Sequence, residues 1–215
     1  MTEIKFCGMT RAEDARAAAQ LGAGYVGVIF ASGPRRLSLE KAAEVFDGLS
    51  RSVRRVGVFG DSSADEIIES AKRLELDAVQ LHGDADAGSL LRLRAGFAGE
   101  IWRVLRLANA DIPNGAREAF ASADAVLLDA HVEGKLGGTG VALPWRRLID
   151  QLQPLRSKGR AKLVLAGGLR PENVGDAIRL LRPEIVDVSS GVEASPGIKD
   201  HARMRAFRDA VHAST

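Results

Sequence analysis

The chain is poor in several things at once. Its 215 residues hold one cysteine, one tyrosine and two tryptophans, and aromatics make up only 5%. One cysteine cannot form an internal disulfide, which fits a reducing compartment and gives a cytoplasmic expectation. No apolar run approaches the ~20 residues of a membrane span, so no membrane association is expected. The N-terminus lacks a basic region followed by an apolar stretch, so no secretory signal is read there. The net charge is only +2, with arginines interspersed among acids and no basic stripe carrying aromatics, so nucleic acid is not an expected partner. The histidines His82, His131, His201 and His212 lie far apart, no Cys/His cluster has ligand spacing, and no metal is expected.

What is present is alternation. Apolar residues reach 46%, so Val, Leu, Ile and Ala must fill the core of a domain of this length. Short apolar runs predict strands at Glu3–Cys7, Tyr25–Phe30, Val53–Phe59, Asp77–Leu81, Glu100–Leu105, Asp124–Asp129, Lys162–Ala166 and Ile185–Ser189. Helical patterns fall between them. Thr10 with Glu13 reads as a capping box, Ser38 and Ser62 or Ser63 as further caps, and Pro171 as a first helical residue. The last helix is expected over Lys199–His212. Strands alternating with helices make parallel sheets. Eight such units close into a single (β/α)₈ TIM barrel spanning residues 1–215. A doubly wound sheet is the rival, and the absence of Gly-x-Gly-x-x-Gly after the first strand counts against it. No linker, low-complexity segment or second domain is visible.

In such a barrel the active site lies at the carboxyl ends of the strands. Cys7 ends the first strand, and His82 follows the fourth. Asp129 ends the sixth, Gly167 and Gly168 follow the seventh, and Ser190 and Gly191 follow the eighth. Cys7 reads either as a small core residue or as a reactive group at the mouth. Asp129 reads either as a desolvated general acid or as a loop anchor. As a pair on opposite sides of one pocket they suit a proton-transfer isomerisation. Lys5 shares the parity of Cys7 about 7 Å away along the strand, where a buried ammonium would favour the thiolate. The glycines after strands seven and eight can turn N–H groups toward an anion, the usual phosphate position of this barrel, with Val192 to Gly197 as room for a short extra turn of helix. Arg35 or Arg36 could clamp a carboxylate or lie in solvent, and His82 could donate to a ligand or be satisfied by backbone. The stretch Ala130–Pro144 is long for a connection and is expected to order over substrate as a lid.

The motifs then resemble one known family. They are Lys5-Phe6-Cys7-Gly8-Met9-Thr10, Pro34-Arg35 with Ser38, Gln80-Leu81-His82-Gly83, and Leu127-Leu128-Asp129. Gly137-Gly138-Thr139-Gly140, Ala166-Gly167-Gly168 and Asp187-Val188-Ser189-Ser190-Gly191-Val192-Glu193 follow in order. The set resembles the phosphoribosylanthranilate isomerases of tryptophan biosynthesis. The resemblance implies a metal-free, cofactor-free Amadori rearrangement of N-(5-phosphoribosyl)anthranilate to the carboxyphenylamino-deoxyribulose phosphate. It implies Cys7 as general base, Asp129 as general acid and Arg35 as the clamp on the anthranilate carboxylate. Gly138, Gly140, Gly167, Gly168, Ser190 and Gly191 would hold phosphate, with Lys5, His82 and Asp187 as further pocket residues. The implied partner is a small phosphosugar, and the implied assembly a monomer or homodimer. Two departures stand out: Leu143-Pro144-Trp145 where the family often has Phe-Asp-Trp, and Arg36 where an aromatic is common. The alternative is another phosphosugar-binding barrel isomerase or epimerase, whose paired acids and metal-binding histidines are not found.

Overall fold

The computed structural model describes residues 1–83, 86–107, 111–129 and 145–215. Eight parallel strands run β1 (Glu3–Phe6), β2 (Tyr25–Ile29), β3 (Arg54–Phe59), β4 (Ala78–Leu81), β5 (Glu100–Arg106), β6 (Ala125–Asp129), β7 (Lys162–Ala166) and β8 (Ile185–Val188). They hydrogen-bond in sequence order, and β8 returns to β1 to close the barrel. Lys5 closes the ring, pairing in register with Tyr25 on one side and Asp187 on the other. The helices between strands are α1 (Ala12–Gln20), α2 (Leu39–Phe46), α3 (Ala64–Leu74), α4 (Ala87–Gly96), α5 (Ala116–Ser122), α6 (Trp145–Arg156) and α7 (Val174–Leu181). α8 (His201–His212) closes the chain.

Strand alternation sorts the apolar residues into two cores. Ile4, Phe6, Val26, Val28, Val79, Leu128 and Leu165 point outward and pack under the helices. Tyr25, Val56, Ala78, Trp102, Leu127, Val164 and Ile185 point inward and fill the barrel. A strand buried on both faces must be apolar at every position, which is why these runs read as continuous. An inward polar residue is therefore conspicuous, and such residues collect at the two ends.

Three local expectations are corrected. Thr10 does not cap α1, because its hydroxyl donates to the Gly197 carbonyl 187 residues on. Arg11 is the N-cap, with no side-chain cap bond, and its guanidinium grips Asp14 instead. Pro171 does not open α7. The helix begins at Val174 with Asn173 as its N-cap; the Asn173 Oδ1 accepts from Arg170 N at 2.9 Å and its Nδ2 donates to the Gly168 carbonyl at 3.0 Å. After β8 the room at Val192 to Gly197 holds no helix turn. One 3₁₀ turn (Ser190–Val192) leads into a hairpin of β9 (Glu193–Ser195) and β10 (Ile198–Lys199). Ser38 caps α2 as read, and of Ser62 and Ser63 it is Ser63 that caps α3, in a full capping box with Glu66.

Candidate active site

The mouth of the barrel is built around Lys5. Its side chain is wholly buried, an arrangement that requires partners. The ammonium donates to Gln80 Oε1 at 2.7 Å and to Asp187 Oδ2 at 2.8 Å. Burial pushes the Lys5 amine down, but the charges and hydrogen bonds of Asp187 and Cys7 outweigh it and hold Lys5 above the usual lysine range. Asp187 Oδ1, also buried, has no hydrogen-bond partner among the described residues.

Cys7 follows β1 directly, its N–H donating to the Val188 carbonyl at 2.9 Å. It is 6% exposed and sits where β2 has no side chain: a Cβ on Gly27 would lie 3.0 Å from Cys7 Sγ and 3.2 Å from Lys5 Cε. Burial pushes the Cys7 thiol up, Lys5 and Lys199 pull it down, Asp187 pushes it up again, and the outcome is a raised thiol. The sequence expectation that Lys5 favours the thiolate has the right sign for that one contact. It omits burial and Asp187, which together win.

Asp129 ends β6 at an inward position, with its side chain 22% exposed. His82 Nε2 stands 3.7 Å from Asp129 Oδ2, and His82 Nδ1 is 3.4 Å from Gln80 Nε2. Burial pushes the His82 imidazole down, so it is held neutral. Lys5, Gln80 and His82 thus form a polar row from the Cys7 side of the mouth to Asp129.

Arg35 reaches over the turn that follows Cys7. Gly8 lies at φ +69°, and a Cβ there would stand 2.6 Å from Arg35 Cδ and 2.8 Å from Ser189 Oγ. The guanidinium forks onto Glu193, Nε to Oε1 at 2.7 Å and Nη2 to Oε2 at 2.6 Å. Arg36 lies elsewhere, on a cavity of about 1040 Å³ above the ends of β2 to β5, with His82 and Arg106. That cavity reaches the polar row at His82 without touching Cys7 or Asp129.

The remaining expected residues divide. Gly167 and Gly168 lie at φ +81° and +67° at the end of β7. The loops after β7 and β8 meet so closely that a Cβ on Gly191 would stand 1.9 Å from the Leu169 carbonyl oxygen. Ser190 opens the 3₁₀ turn beside them. Gly138, Gly140 and the expected lid lie outside the described residues. The sequence motifs contain Gln80, Glu193 and Lys199 but give them no role. Gln80 was findable, since it shares strand parity with His82 and belongs to the same motif.

The sequence profile of the "N-(5'phosphoribosyl)anthranilate (PRA) isomerase" family matches residues 4–210. The chain belongs to that family. It is 45% identical over 209 residues to the N-(5'-phosphoribosyl)anthranilate isomerase of Pseudomonas fluorescens strain Pf0-1, covering 96% of this chain and 97% of the relative. Among solved structures, the phosphoribosyl anthranilate isomerase of Thermotoga maritima superposes with a TM-score of 0.88 at 34% identity, covering 99% of this chain and all of that one. A second such structure holds reduced 1-(o-carboxyphenylamino)-1-deoxyribulose 5-phosphate; its TM-score is 0.80 at 32% identity, over 99% and 100% of the two chains. Among the described residues, no helix is long and apolar enough to cross a membrane, and no group of three His, Cys, Asp or Glu is placed to hold a metal.

Proposed function

We propose that this chain isomerises N-(5'-phosphoribosyl)anthranilate to 1-(2-carboxyphenylamino)-1-deoxyribulose 5-phosphate, with Asp129 as general acid and Cys7 as general base. The carrying observation is the inward placement of Cys7 and Asp129 at one mouth, joined by the Lys5–Gln80–His82 row. Asp129 gives its proton to the ribose ring oxygen as the C1′–O bond breaks, leaving a protonated Schiff base. The Cys7 thiolate then takes the proton from C2′, and the electrons of that bond neutralise the iminium to give an enolamine. Return of a proton to C1′ and loss of the enol proton yield the ketone, so no proton is gained or lost overall. Every step is a proton transfer, which side chains supply by themselves. Arg35 takes the anthranilate carboxylate, and the β7 and β8 loops take the phosphate through N–H groups.

A raised Cys7 thiol is mostly protonated at neutral pH, so kcat/KM is expected to rise with pH until the thiol ionises. The test follows the loss of anthranilate fluorescence with wild type, Cys7→Ser and Asp129→Asn, each with a chelator. Wild-type turnover that survives chelation and falls about 10²–10⁴-fold in each variant supports the pair. Activity surviving Cys7→Ser would mean that the base is another group, and a folded but inactive wild type would sink the reading.

A further inference from the structure

Arg35 is not loose in its loop. Glu193 takes the Nε/Nη2 edge of its fork at 2.7 and 2.6 Å. Glu193 is itself buried, and its Oε1 also accepts from Lys199 Nζ at 2.9 Å. Lys199 is fully enclosed and donates its remaining bonds to Ser189, carbonyl at 3.2 Å and hydroxyl at 3.4 Å. The hairpin carrying both residues is tied down from behind. Arg203 Nη1 donates to the Glu193 carbonyl at 2.8 Å, and the Lys199 N–H donates to the buried Asp14 at 3.2 Å. Three of these groups carry charges of +1, −1 and +1, which leave one positive charge. Arg35 Nη1 makes no hydrogen bond to any described residue, so the end of the fork stays available.

We propose that Glu193, backed by Lys199, is a positioning residue that holds Arg35 by one edge and presents its other edge to the substrate carboxylate beside Cys7. This rests on the reading that Arg35 binds that carboxylate. An unheld arginine on an exposed loop samples many rotamers, and fixing it spends that entropy before substrate arrives. Glu193 alone would cancel the charge of Arg35; Lys199, whose amine burial pushes down while Glu193 draws it up, donates to Glu193 and offsets that carboxylate. Burial pushes the Glu193 carboxyl up, but Arg35 and Lys199 overcome this and keep it ionised. Gly8 leaves the space across which Arg35 passes.

Positioning and simple electrostatics give opposite signs for Glu193→Gln. That change adds positive charge to the pocket, so charge alone would tighten carboxylate binding. Loss of positioning would weaken it. Steady-state constants are measured for N-(5'-phosphoribosyl)anthranilate by fluorescence. They are measured for the N-phosphoribosyl aniline analogue, which lacks the carboxylate, by chromatography. The expected result is a KM for the anthranilate substrate about ten- to a hundredfold higher in Glu193→Gln, with kcat less affected and the aniline analogue turned over as by wild type. Glu193→Asp keeps the charge and withdraws it by one methylene, and should recover part of the loss. A KM that falls or stays level in Glu193→Gln would overturn the proposal, as would equal losses on both substrates. Should Glu193→Gln not fold, Glu193→Asp carries the test alone: a selective rise in KM supports the proposal and an unchanged KM overturns it. Absence of turnover in wild type would remove the functional reading and this inference with it, whereas an active wild type with an indifferent Glu193→Gln would remove this inference only.

Discussion

The barrel has two polar ends, and they are finished differently. At the amino-terminal floor, Glu100 Oε1 accepts from Lys162 at 2.7 Å, while Oε2 accepts from Trp102 Nε1 at 2.8 Å and from the Tyr25 hydroxyl at 3.4 Å. Arg54 stacks 3.8 Å above the Tyr25 ring and pairs with Glu3. Each of these charges has a partner. At the mouth, Asp187 Oδ1 has no hydrogen-bond partner among the described residues, His82 and Asp129 stand 3.7 Å apart, and the Cys7 thiol is raised. A folding unit gains by satisfying every buried polar group. A site for chemistry needs groups whose last partner is the substrate. The floor therefore reads as stability and the mouth as function.

Removing charge from the mouth should show this most strongly. Lys5→Met leaves Asp187 buried without its cation, a loss of about 3–5 kcal/mol when one partner of a buried pair goes. Denaturant unfolding should register it, together with loss of turnover. Lys5→Met with Asp187→Leu should regain most of the stability and none of the activity. Recovery of both would mean that the mouth charges serve the fold alone.

The next effect belongs to the floor and to alkaline pH. Burial, with Glu100 next, pushes the Tyr25 phenol up to about 12. The unfolded phenol ionises near 10, so above that pH the unfolded chain sheds a proton that the folded chain keeps, and stability falls. Lys162 and Lys5 are also held above their ordinary value of 10.5, so their contribution is complete below that pH and is lost above it. All three slope the same way. Tyr25→Phe cannot ionise, and its stability between pH 10 and 12 should decline less than wild type, by roughly 2–3 kcal/mol at the upper end. Parallel curves would show that the phenol is not the titrating group.

Much of this contrast was legible in the sequence and part was not. The eight strands were readable because doubly buried strands leave continuous apolar runs, and their ends marked Cys7, His82 and Asp129. The glycines after strands seven and eight fell where anion-binding loops belong in such a barrel. What escaped was long-range. Thr10 looked like a cap because a capping box is a local pattern, whereas its actual partner is Gly197. Whether Arg35 was a clamp or a solvated loop residue stayed open because nothing local announces Glu193, 158 residues away. The raised Cys7 thiol depends on a balance of burial and three charges that spacing along one strand cannot supply.

Gly8 tests the mouth more gently. At φ +69° any other residue is strained, by about 1–2 kcal/mol, and its Cβ would press on Arg35. Gly8→Ala should lower the free energy of unfolding by that amount and raise KM more than it lowers kcat. Equal changes in both constants would place the damage at Cys7 rather than at Arg35.

The smallest expected change concerns the ring that separates the two ends. Trp102 points its indole N–H down to Glu100 and stands edge-on to Tyr25 at 4.9 Å. Its other side faces Lys5, whose ammonium lies 5.5 Å from the ring centre. It therefore belongs to both clusters, but by different bonds: a hydrogen bond to the floor and a ring face to the mouth. Trp102→Phe removes the first and keeps the second. It should cost about 1 kcal/mol in unfolding, the net worth of one hydrogen bond. It should leave kcat/KM within about twofold, because a retained ring still interposes apolar matter between Glu100 and Lys5. A large loss of activity in Trp102→Phe would show that the floor reaches the chemistry through this indole, and the division between the two ends would fail at that residue.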